Sequence, residues 1–134
     1  MNDAFMEDTT AIEAAAVSYL TAFNRGDAAA VVSTYADDGV LMSPGRPATV
    51  GKSSLAETYP GIFENVGFDM KYEIKEVVQT SADWGFVRSA TEGTQTIKAT
   101  GEAHSASYQE LFLLRKSADG VWQIARYCTV NVTS

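Results

Sequence analysis

Glu110 stands between Tyr108 and Phe112 at one strand parity, so an inward-facing strand here would carry a carboxylate into an apolar layer. A carboxylate in that position must be paired or neutral. Arg88 and Arg126 are the natural partners, because each closes an alternating apolar run, Trp84-Phe86-Arg88 and Trp122-Ile124-Arg126. As a functional cluster these three would bind a carboxylate or a carbonyl at a pocket floor; as a structural one they would be an ion pair across adjacent strands. Tyr19 lies on the apolar stripe of the first helix, as a core phenol satisfied by a neighbour or as a pocket donor. His104 is the sole histidine, the one side chain whose ordinary pKa lies near neutrality, but Gly101 and Glu102 beside it suggest a solvated rim. Glu92 shares the Trp84-Arg88 parity and reads as a rim carboxylate, while Cys128 reads as a small apolar group.

Other chemistries are disfavoured. One His and one Cys cannot make a zinc site of the usual kind, and one Cys cannot form an intrachain disulfide. Neither metal nor organic cofactor is expected. Gly45-Arg46-Pro47-Ala48-Thr49-Val50-Gly51-Lys52-Ser53 looks like a phosphate-binding loop. It has one residue too many between its glycines, and Pro47 removes a backbone donor, so it reads as a strand, a turn and a helix start. Lys plus Arg number 10 against 17 Asp plus Glu, a net charge of -7 that repels phosphate backbones and anionic membranes. Neither nucleic acid nor membrane is an expected partner. The acidic N-terminus does not resemble a signal peptide, and no apolar run approaches the roughly 20 residues of a membrane span, so a cytoplasmic location is expected.

The 134 residues fit one domain, with residues 1–8 as a loose tail. Thr10 and Glu13 match a capping box, Ile12, Ala16, Tyr19, Leu20 and Phe23 recur at helical spacing, and Gly26 is the expected stop. Asp27 caps a short second helix reaching Tyr35; Asp37-Asp38-Gly39 reads as a turn; Val40 to Met42 reads as a short strand. Ser53 or Ser54 caps a third helix, with a kink or break at Pro60-Gly61. Phe68, Met70, Tyr72 and Ile74 alternate with polar residues as a half-buried strand, and strands follow over 84–98, 103–116 and 121–132. This pattern predicts an α+β domain with helices covering one face of a curved, antiparallel-rich sheet. Trp84, Tyr59, Phe63, Tyr35 and Met42 would wall a pocket or fill the core.

Tyr19-Leu20-Thr21-Ala22-Phe23-Asn24-Arg25-Gly26-Asp27 and Tyr35-Ala36-Asp37-Asp38 resemble the opening of SnoaL-like proteins of the nuclear transport factor 2-like superfamily, which includes ketosteroid isomerase. Glu110 to Lys116 and Asp119 to Tyr127 are similar to the subgroup named after SgcJ-type proteins. The resemblance implies a cone-shaped, cystatin-like roll, with the sheet wrapped around the long first helix, three helices in all, a pocket at the open end and a homodimer through the outer sheet face. It implies a Tyr at position 19 and a carboxyl at 110 that donate to an enolate oxygen. The base position implied just before Pro44 holds Ser43, which cannot abstract a carbon-bound proton, so steroid isomerisation is not expected. The expected activity is a cofactor-independent isomerisation, cyclisation or dehydration of a small apolar carbonyl compound; a non-catalytic ligand-binding or homodimerisation module is the alternative. Tyr19, Glu110 and Arg126 are the expected catalytic residues. Tyr35, Met42, Tyr59, Phe63, Trp84, Arg88, Tyr108, Phe112 and Tyr127 are the expected ligand contacts. The resemblance turns Tyr127 inward and the Trp122-Ile124-Arg126 alternation turns Arg126 inward; both can hold only if the strand bulges.

Overall fold

The computed structural model describes residues 8–132. Its elements run α1 (Thr9–Arg25), α2 (Ala28–Ser33), β1 (Tyr35–Met42), β2 (Thr49–Val50), α3 (Lys52–Asn65), β3 (Val66–Gln79), β4 (Trp84–Ile97), β5 (Glu102–Lys116) and β6 (Trp122–Asn131). The expected tail lies outside the described residues except for Asp8. That residue is tied down, its N–H donating to Gln79 Oε1 at 3.3 Å and its carboxylate meeting Lys116 Nζ at 2.9 Å.

The apolar stripe of α1 buries Ile12, Ala16, Tyr19 and Leu20. Gly26 closes the helix in the left-handed conformation (φ 69°), a backbone that costs a residue with a Cβ but not glycine. The capping box does not form: α1 starts at Thr9, and Asp8 at its N-cap makes no side-chain cap bond. Asp27 caps α2 as expected, its Oδ1 accepting from the Ala30 N–H at 3.1 Å.

Three further expectations are corrected. Asp37-Asp38-Gly39 is not a turn but an irregular stretch within β1. Five steps along β1, from Tyr35 to Val40, are matched by two along the parallel β6, from Ile124 to Arg126, and the surplus residues bulge out of the ladder. Helix α3 is capped by Gly51 rather than by Ser53 or Ser54, and it runs unbroken through Pro60. Pro60 is exposed, so water can reach the backbone carbonyl that its missing N–H leaves unbonded.

The six strands form one sheet in the order β2-β1-β6-β5-β4-β3. Its pairings are antiparallel except for β1 beside β6. The concave face packs on α1 through Val87, Phe112, Leu114, Ile124 and Tyr127, all in one buried cluster with Ile12, Ala16, Tyr19 and Leu20. Sharp curvature requires close backbone approach between β3 and β4. Gly93, opposite Met70, sits where a Cβ would lie 2.1 Å from the Asp69 carbonyl oxygen and 2.8 Å from Met70 Cα.

Gly93→Ala is therefore expected to open this strand pair and to destabilise the fold by about 2 kcal/mol, within the range for overpacked interiors. Urea denaturation measures it, and an unchanged midpoint would show that the two strands separate freely at that point.

Candidate functional site

Between α1, α3 and the concave face lies a cavity of about 300 Å³. Five of the six tyrosines line it (Tyr19, Tyr59, Tyr72, Tyr108 and Tyr127), together with Leu20, Phe23, Leu41, Ile62, Phe68 and Met70. Glu110 and Thr91 belong to its buried part; Ser43, Pro44, Arg46 and Asn131 stand toward the outside. The inward residues of β6 grade from buried Tyr127 through half-buried Thr129 to exposed Asn131. At about 3.3 Å per residue, that wall is roughly 13 Å from floor to rim.

Glu110 is 5% exposed and lies opposite Ser89 on β4 and Thr129 on β6. The Ser89 hydroxyl donates to its Oε1 and the Thr91 hydroxyl to its Oε2, both at 2.7 Å. Burial pushes the Glu110 carboxyl above the ordinary glutamate value, and these two hydroxyls hold part of that shift back. A carboxylate has about four lone-pair directions, so two accepted bonds leave capacity for a ligand.

A chain of phenols faces the same cavity. The Tyr35 and Tyr59 hydroxyls are 2.6 Å apart, and those of Tyr59 and Tyr19 are 2.7 Å apart. Tyr35 does not line the cavity and Tyr19 does, so Tyr19 is the end of the chain that opens on the cavity, beside Tyr127. Burial pushes Tyr19, Tyr35, Tyr59 and Tyr127 above the ordinary tyrosine range, and all four remain neutral donors at physiological pH. The Tyr127 ring lies 4.6 Å from that of Tyr19 and stacks on Phe112 at 4.5 Å.

Of the residues singled out from sequence, Tyr19, Tyr59, Tyr108, Glu110 and Tyr127 meet in this cavity. Tyr35 reaches it only through Tyr59, and Phe112 lies beneath Tyr19 and Tyr127. Phe63 packs in the core against Phe23 and Phe68. Tyr108 is held at its hydroxyl by the Gln95 amide.

Arg126, Arg88, Trp84 and Met42 are corrections, since the structure sets all four on the opposite, convex face. In β6 the register slips so that Leu113 pairs with Arg126 but Leu114 pairs with Ile124, leaving Ala125 as an extra residue. That bulge turns Ile124 and Tyr127 to the same side and Arg126 to the other, where its Nη1 donates to the carbonyls of Asp38 (3.1 Å) and Ala125 (2.7 Å). In β4 the inward residues are Gly85, Val87, Ser89 and Thr91. Arg88 consequently pairs with Glu76 at 2.9 Å, and Trp84 lies under the Arg115 guanidinium. Met42, 41% exposed, pairs in register with outward Cys128. Glu110 is thus held by hydroxyls, not by arginines.

Ser89, Thr91, Thr129, Asn24 and Arg46 were missed. Ser89 and Thr91 were missed because turning Trp84, Phe86 and Arg88 inward turned the residues that alternate with them outward. His104 is exposed beside Glu102 on the far hairpin. Among the described residues no group of three or more His, Cys, Asp or Glu could together hold a metal ion.

The cavity between helix and wrapped sheet defines a class, and sequence comparison agrees with it. Residues 16–127 match the family described as SnoaL-like domain, and the chain belongs to that family. It is 70% identical to a ketosteroid isomerase-like protein from Erwinia carotovora atroseptica, covering 96% of this chain and 98% of that one with a TM-score of 0.93. A conserved protein from Planctomyces limnophilus shares the fold at 22% identity (95% and 99% covered, TM-score 0.80). So does a nuclear transport factor 2-like protein with a cystatin-like fold from Novosphingobium aromaticivorans, at 16% identity (96% and 84% covered, TM-score 0.72). No curated protein sequence matches this chain.

The raised Glu110 pKa has a consequence for stability. The folded chain holds this proton more tightly than the unfolded chain does. The resulting stabilisation is present below the ordinary glutamate value of 4.5 and is lost as pH rises through the raised value. The unfolding free energy of wild type minus that of Glu110→Gln should fall as pH rises from the ordinary glutamate value of 4.5 through the raised one. A difference that stays flat over that interval would show that Glu110 titrates alike in both states.

Proposed function

We propose that the protein is a cofactor-independent enzyme that moves a proton beside the carbonyl of a small, largely apolar compound. The single observation that supports this most is Glu110, a carboxylate without a cation in an apolar cavity that also holds the open end of a phenol chain. In this reading Glu110 is the base, taking the part that Ser43 cannot play. Its carboxylate removes a proton from the carbon next to the carbonyl, and the C–H electron pair moves into an enolate. The enolate oxygen accepts from Tyr19, whose donation strengthens as charge develops and is reinforced by Tyr59 and Tyr35 behind it. Returning the proton to another carbon completes an isomerisation. Attack by the enolate carbon on a second carbonyl of the same molecule, whose oxygen takes the proton back from Glu110, gives a cyclisation, and departure of a β-hydroxyl as water with that same proton gives a dehydration. Burial raises the Glu110 pKa and so makes the carboxylate a stronger base than an exposed glutamate, which suits a group that must both take and return a proton.

Exchange of α-protons in D₂O, followed by proton NMR on a panel of small cyclic ketones and enones, tests the chemistry without a known substrate. Wild type should catalyse exchange in at least one member. Glu110→Gln should lower the rate by about 10²–10⁴-fold and Tyr19→Phe by about 10²–10³-fold, with ligand affinity kept within a few fold. Exchange undiminished in Glu110→Gln would remove Glu110 from the mechanism. Binding without exchange across the panel would favour the alternative, a ligand-binding module.

As its partner we propose a second copy, meeting through the convex sheet face. Met42, Leu111, Leu113 and Val130 are each at least 38% exposed there, and register makes them neighbours around Cys128. Arg126 and the Arg88–Glu76 pair flank them, a mixture of charges that a two-fold axis can pair with itself. Leu111→Glu should convert a dimer to a monomer in size-exclusion chromatography with light scattering; a wild-type monomer would remove this partner. Among the described residues no helix is long and apolar enough to cross a membrane, and a cytoplasmic setting is part of the same proposal.

A further inference from the structure

The cavity is chemically different at its two ends. Glu110, Tyr19 and Tyr127 are buried at the floor; Arg46, on the connection between β1 and β2, is exposed at the mouth. Arg46 is the one basic residue lining the cavity. The other arginines are engaged: Arg25 with Asp27, Arg88 with Glu76, Arg115 with Asp38, and Arg126 with two backbone carbonyls. Among the described residues no carboxylate or carbonyl partners the Arg46 side chain, in a protein of net charge -7 with acids to spare.

We propose that Arg46 is an anion-recognition site, and that the substrate is a small carboxylic acid whose carbonyl end lies at Glu110 and Tyr19 and whose carboxylate faces Arg46. This rests on the carbonyl-pocket reading above and adds orientation and substrate class to it. Orientation follows from charge. An anionic group sent to the floor would meet the Glu110 carboxylate in a buried setting, where like charges repel strongly. At the mouth the same group meets a guanidinium whose planar fork matches a carboxylate bidentately. A wall of roughly 13 Å separates the two ends, enough for one ring and a short acidic side chain. One cation neutralises one charge, which fits a monocarboxylate better than a phosphate ester.

Two probes test this by isothermal titration calorimetry at low salt: 3-(4-hydroxyphenyl)propanoate and its methyl ester. Their phenol occupies the enol position at the floor, and they differ only in the charge at the other end. The acid should bind about three- to fivefold more tightly than the ester, the size of an exposed ion pair. The preference should vanish in Arg46→Ala, persist in part in Arg46→Lys and shrink as salt is added. Arg46 is exposed, and among the described residues its side chain makes no hydrogen bond or ion pair for either variant to break, so neither should unfold the protein. Equal affinity for acid and ester, or a preference that survives Arg46→Ala, overturns the mouth assignment and leaves the floor chemistry standing. Failure of both probes to bind wild type overturns the pocket reading and this inference together.

Discussion

Taking a carboxylate out of water costs several kcal/mol unless other groups replace its hydration. At Glu110 the replacement is two neutral hydroxyls, one on each oxygen. Everything around the cavity is arranged so that this substitution holds. Ser89 lies opposite Glu110 across the β4–β5 ladder, and Thr91 lies two residues further along β4, so strand register alone supplies both donors. The β6 bulge at Ala125 then turns Tyr127 and Thr129 to the same side. Had a cation been placed there instead, the carboxylate would be satisfied and chemically idle. Hydroxyl donors keep it buried, hydrogen-bonded and able to accept a proton.

The phenols solve the complementary problem. A donor to a developing oxyanion must stay protonated and must not be consumed by the protein's own acceptors. Burial keeps Tyr19, Tyr35, Tyr59 and Tyr127 neutral. The chain geometry pairs Tyr35 with Tyr59 within the core and brings Tyr19 to the cavity end. Three elements contribute to it: α1 brings Tyr19, β1 brings Tyr35 and α3 brings Tyr59. The unbroken passage of α3 through Pro60 therefore matters to the site, because the residue just before the proline holds the middle hydroxyl.

Sequence reading went furthest where a polar neighbour or helical spacing marked the inward face. In β5 the Tyr108, Glu110 and Phe112 parity was legible because Gln109 marks the other face. Tyr19 was legible from helical spacing. In β4 the same reasoning turned Trp84, Phe86 and Arg88 inward, and it failed because the convex face is apolar as well. Trp84 at 39% exposure and outward Leu111 and Leu113 break the simple alternation of apolar inside and polar outside. The bulge at Ala125 leaves no glycine or proline in the sequence to announce it, so Arg126 was read one face out. Ser89 and Thr91 were overlooked because an isolated hydroxyl on a strand looks like solvent-facing polarity until its partner is known. Arg46 was seen only as part of a phosphate-loop resemblance, since a loop residue acquires its neighbours from the fold rather than from spacing.

Ser43 acquires a different meaning once Glu110 is placed. A second carboxylate in the same small, dry cavity would raise the pKa of both groups, and only one could ionise near neutrality. The family resemblance implies that arrangement, with an ionised base near Pro44 and a protonated acid on the late strand. Here Ser43 lines the cavity without charge, and Glu110 is the one acidic residue lining it. Glu110 therefore answers only to burial and to its two hydroxyl donors. In the proposed reaction Glu110 supplies, from a strand at the floor, the basic chemistry that Ser43 cannot supply from the rim. On a strand the carboxylate is fixed by register on both sides, whereas a loop base can swing toward its substrate. In that reading a fixed base reaches carbon atoms only within a short arc of the oxygen held by Tyr19, so the floor would constrain where the proton is taken and the rim would select the molecule.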